Sequence, residues 1–231
     1  MDKLQNGVKA CRLFIGLPEE DLNELCSIAM YAKFKRGEVI FCDGDAGEGF
    51  YIVISGRVKI YKLGTDGREQ ILHFVHNGDP FGEITLFAGT AYPAFAKAVS
   101  DVEALFFRRD DFKALVERNP QLSLNMIAIM SFHLRRFAAL IEDLSLKDVP
   151  ARVAQYLLNL AAKGGREKDG AVEIELDMSK TELAQRLGTI SETISRTLGK
   201  MKSSGIIDTN GKRVIILDMD MLEEVASGIG K

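Results

Sequence analysis

Three side chains able to recognise another molecule lie close together in the stretch SETISRTLGKMKS: Glu192, Ser195 and Arg196. On a helix, residues three and four apart share a face, so all three would point the same way. A guanidinium can donate two bonds to guanine O6 and N7, and a carboxylate can accept one from the cytosine amino group. Ser195 could add a contact to a base or a phosphate. An acid is badly placed beside phosphates unless it reads a base or orients the arginine. Read only as a surface i,i+4 pair, Glu192 and Arg196 would contribute about 0.2–0.5 kcal/mol. Lys200 and Lys202 extend the outward set, and Thr181, Ser191 and Thr193 complete the candidate nucleic-acid contacts.

These residues need a particular frame. Lys180 to Leu187 is predicted as one short helix, ended by Gly188, where a glycine adopts the left-handed conformation without steric cost. Ser191 suits the N-cap of a second helix running to about Ser203. Leu183, Ala184, Leu187, Ile190, Ile194, Leu198 and Met201 recur at helical spacing and should pack inward. Two helices joined by a tight turn form a helix-turn-helix, whose second helix meets base edges with its first turns. VEIEL upstream reads as a short strand. IIDTNGKRVIIL downstream reads as a hairpin around Asn210-Gly211, a wing with Lys212 and Arg213 at its tip. The tail after Leu217 reads as a weak helix from Met221 to Ala226.

The 231 residues are enough for two domains, and 46% apolar with 27% charged residues is ordinary for a globular chain. The net charge of −3 excludes a uniformly basic nucleic-acid binder. Charge is concentrated instead: Met178 to Arg213 holds seven Lys or Arg against three Asp or Glu, a local excess suited to phosphate contact. No run of 18 apolar residues exists, so no transmembrane helix is expected. The N-terminal stretch MDKLQNGVKACRLF does not read as a signal peptide, so the expected location is the cytoplasm. Cys11, Cys26 and Cys42 are odd in number and far apart, as for free thiols in a reducing compartment.

The N-terminal part changes period. Residues 1–31 hold an amphipathic helical region starting at Leu17-Pro18-Glu19-Glu20, with Leu22, Leu25, Ile28 and Ala29 inward. From Ala32 to about Phe107, EVIF, GFYIVISG, RVKIYKL, EQILHFV, AFAKAV and VEALFF are short β-type runs punctuated by glycine. Gly64-Thr65-Asp66-Gly67 reads as a hairpin tip. Many short strands with glycine turns argue for a sandwich or roll. Asp110 to about Asn119 is a short helix, and Pro120 opens a long one to Leu146. On it, Met126, Met130, His133, Phe137, Leu140 and Leu144 step by four and three, the period of a coiled-coil seam. That seam is predicted to hold a parallel homodimer, while Ile127, Leu134 and Ile141 beside it cover the roll. His133 in mid-seam needs a polar partner. Asp148-Val149-Pro150 is a joint and a helix entry. Ala151 to Ala162 is the next helix, with Val153, Tyr156, Leu157 and Leu160 inward. Residues 163–170 form a polar loop.

These motifs taken together resemble the CRP/FNR family of bacterial transcription regulators over nearly the whole chain. SETISRTLGKMKSSGII is similar to the family's recognition helix, and GEVIFCDGDAGEGFYIVISGRVKIYKL to the first half of its effector-holding β-roll. The resemblance implies an α+β architecture in three parts. Residues 1–118 would be an effector-sensing, double-stranded β-roll (jelly-roll, cyclic-nucleotide-binding-like) with an N-terminal helix. Residues 119–148 would be a dimerisation helix, and 149–231 a winged helix-turn-helix. The arrangement of Glu192, Ser195 and Arg196 resembles the FNR branch, which implies a half-site containing TTGA in a palindromic duplex. RNA polymerase is the further partner implied, and no membrane.

The segment Phe81 to Val99 corresponds to the cyclic AMP cradle of CRP-like proteins. Gly82 and Glu83 match it; with Tyr92, Met130 and His133 they are the candidate effector pocket. The family's cyclic-nucleotide binders continue with Arg and then Ser or Thr on the phosphate. Here Tyr92-Pro93-Ala94 stands in that place, and a buried phosphate without a cation is costly, so cyclic AMP is not expected. Three scattered cysteines do not match the four that hold the FNR iron–sulfur cluster. LIEDLSLKDVPARVAQYLLNLAAKG resembles the DNR and HcpR branch, which implies a gas effector, nitric oxide, sensed through haem b. His133, His73 and His76 are the ligand candidates, since a neutral imidazole binds iron well. No GxSxG, HExxH or P-loop occurs, and three histidines without an H-x-H spacing do not build a cupin-type metal site, so no enzyme is expected.

Overall fold

The computed structural model describes residues 2–86, 91–168 and 170–228. Phe87 to Thr90 of the Phe81–Val99 segment, and Asp169 in the polar loop, lie outside the described residues. The chain divides into two compact units, Met1–Gly64 with Ile71–Arg136, and Thr65–Gln70 with Phe137–Lys231.

The first unit opens with α1 (Asp2–Ala10), a 3-10 turn (Arg12–Phe14) and α2 (Glu19–Ile28). Pro18 fixes the entry to α2, and Glu19, Glu20 and Asp21 fill its first turn, where the helix dipole favours negative charge. Strands β1 (Ala29–Phe34), β2 (Val39–Phe41), β3 (Gly49–Ser55), β4 (Val58–Leu63), β5 (Glu69–Val75), β6 (Pro80–Phe81), β7 (Phe95–Ala98) and β8 (Val102–Arg108) follow. They form two four-stranded sheets in the orders β1-β8-β3-β6 and β2-β7-β4-β5, the expected roll. β1 begins at Ala29, where the sequence reading still had helix. Six-residue β1 carries alternate burial only weakly, which hid it. In β3 and β8, Phe50 pairs in register with Phe107, and their rings stack 5.2 Å apart with Phe112 of α3 (Arg109–Arg118) edge-on at 4.7 Å to Phe50. These rings centre a core that also takes in Leu13, Phe14 and Leu25 from the N-terminal helical segment, and Leu122 and Met126 from the next helix.

That helix, α4, spans Pro120–Leu146, and the division between the units falls inside it. One of its two apolar stripes departs from the sequence reading: Ile127, Leu134 and Ile141 do not cover the roll. Met126 is buried in the roll's core, and Met130 and His133 are half-buried, with His133 facing Glu83. Phe137, Leu140 and Leu144 are half-buried as well. The residues expected to cover the roll stand out instead: Ile127 is 60%, Leu134 70% and Ile141 65% exposed, with Leu124 on the same stripe. Both stripes have a seven-residue period, and periodicity does not say which one meets the chain's own core. The two stripes also make α4 long and apolar enough to cross a membrane, by length and by mean hydropathy of 1.3 over 18 residues.

The second unit contains α5 (Val149–Gly164), capped by Asp148, whose side chain accepts from Ala151 N at 3.0 Å. Then come β9 (Arg166–Lys168), β10 (Ala171–Glu175), α6 (Lys180–Arg186), α7 (Ser191–Ser203), β11 (Ile207–Asn210), β12 (Arg213–Ile216) and α8 (Met219–Ser227). The sheet order is β11-β12-β10-β9. Tyr156 of α5 donates its hydroxyl to Asp177 at 2.6 Å, tying α5 to the segment that leads into α6.

Candidate nucleic-acid interface and effector pocket

Ser179 caps α6 in a reciprocal box: Glu182 N donates to its hydroxyl at 3.2 Å, and the Glu182 carboxylate accepts from Ser179 N at 2.8 Å. Leu187 ends the helix and Gly188 takes φ +63°, the left-handed turn that its type allows. α7 then starts at Ser191, one residue from the predicted cap. Ile190 is the N-cap, and Ser191 donates its hydroxyl to Thr181 Oγ1 at 3.3 Å, joining the two helices by polar contact. Leu183, Ala184, Leu187, Ile194, Leu198 and Met201 are buried between them as expected. Ile190 is the exception at 49% exposed, because the cap position lies outside the packed face.

Glu192, Ser195, Arg196 and Lys200 are exposed, while Ser191 and Thr193 are half-buried at the same helix start and Thr181 is exposed on α6. Among the described residues, Glu192 and Arg196 form no ion pair with each other or with another group. Both are therefore available to a partner. Lys202 is not part of that set: its ammonium sits 2.6 Å from Asp208 Oδ1, locking the end of α7 to β11. That hydrogen bond holds the exposed Asp208 carboxyl below the ordinary range. At the wing, Gly211 and Lys212 form the turn, and Arg213 pairs with Glu173 Oε2 at 2.5 Å across the sheet. Lys212 is left as the exposed wing cation; Arg213 stabilises the sheet instead of projecting from the tip.

In the first unit, the described residues of the expected effector pocket include tightly packed aromatic side chains. Tyr92 is buried, donates its hydroxyl to Gly49 O at 2.7 Å and stacks on Phe41 at 3.8 Å. Burial pushes its phenol well above the usual range. Phe81 stacks on Tyr51 at 5.2 Å and on Phe41 at 6.0 Å, completing an aromatic column. Gly82 holds φ +80°, and a Cβ there would sit 3.0 Å from the Tyr92 ring, so backbone conformation and space both demand glycine. Glu83 is buried beside this column, and Nδ1 of His133 lies 3.6 Å from its Oε1. Burial raises the Glu83 carboxyl from 4.5 to about 7. Burial also lowers His133, helped by Arg136 and opposed by Asp79. Burial thus disfavours the charged form of both the acid and the imidazole. His73 packs edge-on against His133 at 5.2 Å, whereas His76 is exposed. Sequence reasoning grouped His73, His76 and His133 as ligand candidates; strand and helix periods gave no signal that His73 and His133 meet while His76 stands exposed. Among the described residues no group of three or more His, Cys, Asp or Glu could hold a metal ion. Cys11 is buried, which pushes its thiol up to about 12.

Comparison with known proteins gives two family matches. Residues 31–119 match the cyclic nucleotide-binding domain, and residues 151–225 the Crp-like helix-turn-helix domain. The chain is 32% identical over 210 residues to a CRP-like cAMP-activated global transcriptional regulator of Mycobacterium tuberculosis, covering 91% of this chain and 94% of that one. It is 35% identical over 198 residues to the nitrogen fixation regulation protein FixK of Azorhizobium caulinodans, covering 85% and 79%. Among solved structures, FixK2 from Bradyrhizobium japonicum superposes with a TM-score of 0.71 at 27% identity, over 86% of this chain and 97% of that one.

The Glu83 environment has a pH signature. A carboxyl raised on folding binds protons in the native state that the unfolded chain has released, so stability falls as pH rises from about 4.5 to about 7. The total is about 3 kcal/mol. Glu83→Gln should therefore be more stable than the parent at pH 8 in urea unfolding, with the gain vanishing below pH 4. The lowered His133 acts in the other direction below about 6.5, and is common to both proteins. A gain that is independent of pH would contradict a buried, reluctant carboxylate.

Proposed function

The chain belongs to the CRP/FNR family of DNA-binding transcription regulators, and we propose that it works as a cytoplasmic homodimer reading a palindromic TTGA-type site under control of a small effector. The observation that carries this reading is the exposed set of Glu192, Ser195 and Arg196 on the first turns of α7, unpaired among the described residues. Both charged side chains are exposed and open to a partner. Arg196 reads a guanine, Glu192 accepts from a cytosine amino group, and Lys200 and Lys212 meet phosphate. Thr181, Ser191 and Thr193 surround them at the helix ends. RNA polymerase is the partner through which occupancy of the site acts on transcription.

Arg196→Ala should lower affinity for the specific duplex by about 1–3 kcal/mol and relax discrimination at one guanine. Lys200→Ala should weaken specific and random duplexes alike and flatten the salt dependence. Equal losses on both duplexes for Arg196→Ala would make it a phosphate contact.

The dimer is assigned to the exposed stripe of α4. Leu124, Ile127, Leu134 and Ile141 repeat by three and seven, and apolar side chains so exposed in one row suit a second copy of the same helix. Two recognition helices would then enter successive major grooves about 34 Å apart. Leu134→Glu should convert the dimer to monomer in sedimentation at micromolar concentration, whereas Leu140→Glu, on the other stripe, tests folding instead. A dimer that survives Leu134→Glu would move the interface elsewhere.

A cyclic nucleotide is not the effector in this reading, since the Tyr92–Phe41 stack replaces the cation and hydroxyl that a cyclic phosphate needs. A second reading, haem b with nitric oxide as the signal, is favoured by one observation: His73 and His133 converge beside the same cavity. The pair does not fit an iron clasped from both sides, because the rings meet edge to face and His133 turns Nδ1 to Glu83. His133 or His73 alone would hold the haem iron, and the iron would supply the nitric oxide chemistry. Haem reconstitution should give a Soret band that shifts with nitric oxide and is lost in His133→Ala or His73→Ala. An unshifted spectrum of free haem would discard this reading.

A further inference from the structure

The first unit holds a cavity of about 360 Å³ that shares only His133 with the pocket expected from sequence. It lies among the 3-10 turn, the end of β5 with the loop after it, and one face of α4. Four basic side chains line it, Arg12, His73, His133 and Arg136, against one acid, Asp79. Arg12 Nε lies 3.9 Å from Asp79 Oδ1, so that acid's charge is already met by a cation. Two guanidiniums against one carboxylate leave the lining positive at neutral pH. The remaining wall is apolar: Ile129, Pro80 and the ring of Phe132, which is 42% exposed. The Arg136 guanidinium stands 5.6 Å from the centroid of that ring. An apolar slot closed by a few convergent donors is how small-ligand sites are built, and this volume is near the lower end of the usual ~300–1,000 Å³.

We propose that this cavity binds a small monocarboxylate with a flat apolar body, its ring against Phe132 and Ile129 and its carboxylate at Arg136 and His133. The proposal rests on the regulator reading above and names the chemical class of its effector. An inorganic anion would leave the apolar wall unused, and a neutral ring would not draw on the net positive charge of the lining. A carboxylate here also acts on the buried pair. The groups facing His133 are Glu83 from the turn after β6, His73 from β5, Asp79 from the loop and Arg136 from α4. A carboxylate beside the imidazole favours its protonated form, and the proton that His133 gains is matched by the one Glu83 gives up, directly or through solvent. Imidazolium and Glu83 carboxylate then attract across the contact between the roll and α4. Ligand is thereby coupled to the grip of the roll on the helix.

Equilibrium dialysis of the full chain at pH 7 against benzoate, phenylacetate and hexanoate, with benzamide as the neutral isostere, tests this. At least one aromatic acid should bind more tightly than 1 mM, and benzamide at least about tenfold more weakly than benzoate. Arg136→Gln should weaken binding by about tenfold or more, and Phe132→Ala, at a half-open position, should weaken the aromatic acids more than hexanoate. Lys113→Gln on α3 should bind as the parent does. No acid bound at 1 mM, equal binding of benzamide, or parental affinity in both Arg136→Gln and Phe132→Ala overturns the proposal. Specific-duplex binding is measured on the same preparations. Duplex binding kept while no acid binds overturns this inference alone; duplex binding absent from the parent protein with and without acid overturns the regulator reading itself.

Discussion

The roll side of α4 has to accept a buried acid. Glu83 is held in the turn after β6 by the same chain direction that makes Gly82 left-handed, and burial there disfavours its charge. The polar partner it meets is His133, on the stripe of α4 whose earlier residues, Leu122 and Met126, are part of the roll's apolar core. Core packing and the acid–imidazole contact therefore fix the rotation of α4 together. Once that rotation is fixed, Leu124, Ile127 and Leu134 must stand outside, since residues on the opposite side of a 3.6-residue helix cannot also face the roll. The location of the exposed apolar stripe follows from this contact.

The same contact separates the chemistry of the pocket from that of the cavity beside it. Phe41, Tyr92, Phe81 and Tyr51 stack as an aromatic column, while His73, His133 and Arg136 line a separate cavity. A fold can keep its glycine and its acid while changing what it holds, because Gly82 and Glu83 have structural work whether or not a nucleotide is present. Gly82 yields room to Tyr92, and Glu83 faces α4.

The second unit follows a simpler rule. Its helix-turn-helix is specified locally: a capping box, a left-handed glycine and a helical apolar stripe all point to one geometry. The basic residues near it divide by role according to what they reach. Lys202 and Arg213 find carboxylates within the unit, at Asp208 and Glu173. Arg196, Lys200 and Lys212 extend into solvent. A count of local charge therefore overstates the number of cations offered to a duplex.

The amino-acid sequence by itself determined the elements and the recognition face: six of the roll's strands, the hairpin tips, both short helices with their glycine turn, and the outward set of Glu192, Ser195 and Arg196. Those features are written in neighbouring residues, through period, caps and turn chemistry. Only the tertiary structure decided which α4 stripe turns inward, that Arg213 is taken by Glu173, and that His73 meets His133 beside Glu83. Each of these joins residues distant in the chain, and an element's period constrains the spacing of its faces without saying what any face will meet.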